Sequence, residues 1–177
     1  AASDLKLADT SARPDLVFIE FAINDLYDGV DFDGAKSNME TIIRTVYSYA
    51  PDADIMLLFT TDKTRSNTEY DTVRAHKEIA NAYKLPYLSI GAMLWEDLLT
   101  ESNSTYPSDA VWNKYFYDYV HPADAGYAKY AEYVENYLSG IFAQKTQAPK
   151  GVVNSYMPEA PLTSLTVSPY AANAKGQ

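Results

Sequence analysis

The chain contains no cysteine, so disulfides, thiolate nucleophiles and thiolate-bound metals are excluded from its chemistry. Histidine is nearly absent too: only His76 and His121 supply imidazole among 177 residues. Cationic side chains are outnumbered, 14 Lys and Arg against 24 Asp and Glu. The resulting net charge of −10 argues against a nucleic-acid or anionic-membrane partner, which such a surface would repel. Long apolar runs are missing, so nothing in the sequence has the length of roughly 18 residues that a helix needs to span a bilayer. The first residues, Ala1 to Asp15, lack the charged-then-apolar order of a signal peptide, though a targeting signal upstream of residue 1 is compatible with the sequence. A Gly-rich phosphate loop is also lacking, which argues against a flavodoxin-like cofactor-binding domain. No cofactor and no metal are expected.

What is present is enough apolar sequence, 47% of the residues, for one globular domain with a core. Leu16 to Ile23 is a nearly continuous apolar run suited to a strand covered on both faces. An acidic loop with Asp28, Asp31 and Asp33 follows. Met39, Ile42, Ile43 and Val46 then recur at helical spacing and predict a helix over residues 34 to 50, ending before Pro51. Asp54 to Thr60 repeats the buried-strand pattern, and Val73, Ala80 and Tyr83 mark a second helix. Pro86 to Ile90 reads as a third strand, followed by a short helix through Met93, Leu94, Leu98 and Leu99 and a polar, aromatic loop from about 101 to 117. Pro122 suits the first turn of a last helix, whose apolar stripe runs from Tyr127 through Val134 to Phe142 and should pack on the sheet.

This alternation predicts an α/β fold, a flavodoxin-like parallel sheet with helices on both faces. The domain is expected over residues 1–143. Residues 144–177, with Pro149, Pro158, Pro161 and Pro169, lose helical period and read as a linker or extended tail, with Leu165 to Ser168 a candidate strand of an appended β module. Ligands of such sheets bind at the carboxyl ends of the strands.

Two constellations carry possible chemistry. Asn24 and Asp25 directly follow the first predicted strand, where the Asn24 amide is able to donate to a developing oxyanion. On the dipeptide alone, capping of the next loop is the simpler reading. Asp118, three residues before His121 and just ahead of Pro122, is placed to fold back onto one imidazole nitrogen, fixing the tautomer and leaving the other nitrogen as a general base. Taken alone, a structural cap explains that pair equally well. His76 reads as a surface or half-buried helical residue, with no carboxylate nearby in sequence to orient it. The three aspartates after the first strand do not follow the order of a calcium loop and read as solvated.

Together and in this order, the two constellations resemble the blocks of the SGNH (GDSL-type) hydrolase family. Ala22, Ile23, Asn24 and Asp25 match the family's Gly-x-Asn-Asp block, with Ala22 in place of Gly. Asp118 to Pro122, continuing to Gly126 and Tyr127, matches the final Asp-x-x-His-Pro block. The resemblance covers about Pro14 to Phe142. It implies an ester hydrolase in which Asn24 is an oxyanion donor, His121 the base, Asp118 its orienting acid, and Asp25 and Ala22 supporting residues.

The form of the first of these blocks is similar to that of bacterial esterases acting on acylated carbohydrates. It implies removal of acetyl or other short acyl groups from a small-molecule or polysaccharide ester. The 16 tyrosines, several clustered before His121, agree with an aromatic, sugar-binding cleft and an extracellular or periplasmic setting. The alternative is a non-catalytic carbohydrate-binding or interaction domain that keeps the fold.

That alternative arises because none of the seven glycines is followed by Asp-Ser. The family's nucleophile-bearing block, and its first strands, are expected to lie outside this chain. The apolar edge of the strand at Leu16 then needs a cover: an N-terminal segment, a second copy, or the tail at Leu165 to Ser168 folding back.

Overall fold

The computed structural model describes residues 13–64, 69–144, 158 and 160–163. Its three strands, β1 (Leu16–Ile19), β2 (Asp54–Leu58) and β3 (Tyr87–Leu88), form one parallel sheet in the order β1-β2-β3. That is the predicted α/β architecture. Leu16 lies opposite Asp54 and Ile19 opposite Leu57. The described backbone sorts into two compact units, one holding residues 13–57, 70–87, 158 and 160–163, the other residues 58–64, 69 and 88–144.

In the first unit β1 is followed by α1 (Ala22–Tyr27) and α2 (Phe32–Tyr49), and β2 by α3 (Asp71–Ala82). The apolar run from Leu16 to Ile23 is therefore shorter as a strand than predicted. The Asp25 N–H donates to the Phe21 carbonyl at 2.9 Å and closes a helical turn where extended chain was expected. Asp31 caps α2 by accepting the Gly34 N–H at 2.8 Å. Met39, Ile43 and Val46 of α2 and Val73, Ile79 and Ala80 of α3 are buried where these helices pack together.

The described tail residues lie against α2. Arg44 donates to the Pro158 carbonyl at 2.9 Å, and Glu40, fully buried, accepts from the backbone N–H groups of Leu162 and Thr163, both at 2.7 Å. The Thr163 and Tyr83 hydroxyls add two more bonds to that carboxylate, each at 2.6 Å. The candidate strand at Leu165 to Ser168 lies outside the described residues.

The second unit contains α4 (Ile90–Ser102), α5 (Asp109–Tyr115) and α6 (Asp124–Gln144). Ile90, Leu94, Trp95 and Leu98 of α4 form a buried cluster with Trp112, Phe116, Tyr130 and Tyr133. Trp112 and Phe116 stack with centroids 4.0 Å apart. Helix α5 occupies what the sequence suggested was loop. Its N-terminus is capped by Ser108, whose hydroxyl accepts the Val111 N–H at 3.3 Å.

Helix α6 begins at Asp124 rather than Pro122, because Pro122 pairs with Phe116 in a short antiparallel bridge. It rests on α4 and α5, and Tyr127 and Phe142 of its expected stripe are exposed. Among the described residues no helix is long and apolar enough to cross a membrane.

Candidate active site

The turn between α5 and α6 holds Asp118 and His121 in direct contact. The Asp118 side chain divides its work between two oxygens. Oδ1 accepts the backbone N–H groups of Val120 and His121, both at 2.8 Å, and so shapes the turn. Oδ2 lies 2.7 Å from His121 Nδ1. A carboxylate only accepts, so Nδ1 carries the ring proton and Nε2 is left as the basic nitrogen. The His121 side chain is 73% exposed. The backbone N–H groups of His121 and Val120, together with the imidazole, hold the Asp118 carboxyl at about 2, so it is charged at any ordinary pH.

The surrounding unit holds this turn in place. The Trp112 indole N–H donates to the Asp118 carbonyl at 2.6 Å, and the Lys63 N–H to the Tyr119 carbonyl at 2.8 Å. Tyr117 N–H closes the turn on the His121 carbonyl at 2.9 Å. The Lys63 ammonium pairs with Asp109 at 2.7 Å and lies over the rings of Tyr119 and Trp112. Gly126 allows α6 to start here, since a Cβ at that position would sit 2.3 Å from the Tyr115 carbonyl oxygen. That same oxygen accepts the Ala123 N–H at 2.8 Å. Tyr117 and Tyr119, on either side of Asp118, are largely exposed.

Asn24 belongs to the other unit and sits on α1, not directly after the strand, with its side chain exposed. Its neighbour Asp25 is buried on that helix. The Asp25 carboxylate contacts His76 Nε2 at 3.0 Å and Asn38 Nδ2 at 3.2 Å. Ala22 is fully buried, and its carbonyl accepts the Thr72 hydroxyl at 2.9 Å. The burial of His76, 1% exposed, corrects the expectation of a surface or half-buried side chain. Its orienting carboxylate comes from 51 residues earlier in the chain, so local sequence carried no signal for it. Among the described residues no three His, Asp or Glu side chains cluster in a way that suits a metal ion.

Comparison with known proteins gives three findings. The sequence profile of the GDSL-like lipase/acylhydrolase family matches residues 2–129. No match was found among curated proteins. A crystal structure 21% identical in sequence superposes with a TM-score of 0.54 over 72% of this chain and 65% of its own length. The chain thus spans just under two thirds of that solved protein, and a likeness at this identity speaks to the fold alone.

Proposed function

The chain belongs to the GDSL-like lipase/acylhydrolase family, and from that premise we propose that it supplies the base, the orienting acid and one oxyanion donor of a serine ester hydrolase whose nucleophilic serine lies outside this sequence. The observation that carries this reading is the 2.7 Å contact from His121 Nδ1 to Asp118 Oδ2, which leaves Nε2 of an exposed ring as the basic atom. In the proposed reaction His121 Nε2 takes the serine proton as the serine oxygen attacks the ester carbonyl. It then returns that proton to the departing alcohol. Water, activated by the same nitrogen, releases the acid from the acyl-enzyme. Asn24 stabilises the oxyanion of each tetrahedral intermediate.

The proposed substrate is a short-chain, foremost acetyl, ester of a carbohydrate. Supporting it are the exposed Tyr117 and Tyr119 beside the base, aromatic surfaces with polar tips that suit sugar faces, and a net charge that disfavours polyanionic ligands. The test is hydrolysis of acetylated sugars by the protein together with the serine-bearing segment. His121→Ala should abolish turnover and leave binding of the sugar intact. Unchanged hydrolysis in that variant sinks the proposal. Sugar binding without turnover in the unaltered protein, with no labelling by a fluorophosphonate, would identify a binding domain instead.

A further inference from the structure

The chain has two imidazole–carboxylate pairs, and the proposed reaction uses only the exposed one. The second, His76 with Asp25, is closed off from solvent: His76 is 1% and Asp25 8% exposed. Because the Asp25 carboxylate accepts, the ring proton of His76 sits on Nε2. Nδ1 is buried with no hydrogen-bond partner. In the other neutral tautomer a bare Nε2 would face the carboxylate and a buried N–H would go unsatisfied, so the surroundings favour the tautomer with its proton on Nε2.

The pair sits at the root of α1. With six residues and no side-chain cap at Phe21, α1 is too short to be stable by itself. It is held by neighbours: α3 through Thr72 to the Ala22 carbonyl and His76 to the Asp25 carboxylate, and α2 through Asn38 to the same carboxylate. Ala22 and Asp25, three residues apart, share the buried face. Asn24 is on the exposed side. The buried Ala22, Ile23 and Asp25, with the bonds from Thr72, Asn38 and His76, orient α1, so the carboxylate that His76 contacts is one of the anchors that set the direction of the Asn24 amide.

We propose that His76 is a positioning residue, acting through Asp25 to fix how α1 presents the Asn24 amide to the reacting ester. This rests on the reading of Asn24 as an oxyanion donor, and one set of variants separates the two. Steady-state hydrolysis of p-nitrophenyl acetate is measured with the complete protein, serine segment included. His76→Phe fills the space without the N–H and should lower kcat about tenfold at nearly constant KM. His76→Gln, whose amide offers an N–H to Asp25, should recover most of that loss. In an Asn24→Ala background His76→Phe should have little further effect, since the group it positions is gone.

An equal loss in that background, or a raised KM with kcat intact, overturns the inference alone. An unchanged rate in Asn24→Ala overturns the reading of Asn24 and the inference with it. Should His76→Phe fail to fold, the ¹⁵N shifts of the His76 ring in the unaltered protein decide. A proton on Nε2 with a bare Nδ1 supports the proposal, and a proton on Nδ1 overturns it.

Discussion

Asp118 holds His121 twice, once by the ring nitrogen Nδ1 and once by the backbone N–H, with a different carboxylate oxygen for each. The two contacts predict a separable effect of Asp118→Asn. The amide oxygen can still accept the backbone N–H groups and keep the turn, but its NH₂ would face Nδ1 and favour the wrong ring tautomer. With the serine-bearing segment present, the proposed esterase activity should fall by roughly 10²- to 10⁴-fold with little change in thermal stability, measured by initial rates alongside a melting curve.

The low carboxyl value of Asp118 predicts how the pair responds to acid. A titration followed by the ¹³C shift of its carboxyl should show a midpoint near 2. Loss of activity between pH 7 and 4 then belongs to a group other than Asp118. A midpoint near 4 would mean that the backbone N–H bonds are not maintained in solution.

Glu40 makes the first unit sensitive to acid in a defined window. Burial pushes its carboxyl up, but the bonds from Thr163, Tyr83 and Leu162 outweigh this and hold it at about 2, against an ordinary 4.5. A lowered folded value means the stabilisation is complete above about 4.5 and is lost as the pH falls through 2. Urea unfolding curves from pH 6 down to 2 should show this loss, and Glu40→Gln should flatten the profile while lowering stability at neutral pH.

Gly126→Ala should destabilise the second unit by roughly 1 to 3 kcal/mol, because the added methyl meets the Tyr115 carbonyl, which is backbone and has no rotamer to yield. Chemical denaturation checks it. A neutral result would show that the start of α6 shifts freely.

Trp112→Phe keeps an aromatic ring on Phe116 but removes the N–H that holds the Asp118 carbonyl. The expected cost is roughly 1 to 2 kcal/mol. The ring resonances of His121 should broaden as the turn loosens, which NMR would detect.

What the sequence made legible was what short-range chemistry decides. Asp118 and His121 are three residues apart, so their pairing follows from a single turn. The strands at Leu16 and Asp54 and the helices carrying Ile43 and Val73 followed from apolar spacing. Ala22 and Ile23 continue the apolar run yet lie on α1, because such a run looks alike in a buried strand and a buried helix. Here the choice is made by Thr72, Asn38 and His76 from distant parts of the chain. Helix α5 was hidden in a polar, aromatic stretch, although Ser108 followed by Asp109 was a usable start signal.

Glu40 gathers four of its hydrogen bonds from groups outside α2, three of them from Leu162 and Thr163. Anyone trimming this protein for expression at the end of α6 would therefore remove those three donors and leave the Glu40 carboxylate with Tyr83 and Arg44 as its partners. The sensible cut point is beyond Thr163, because a shortened chain would keep the Glu40 charge after losing three of the bonds that hold its carboxyl low.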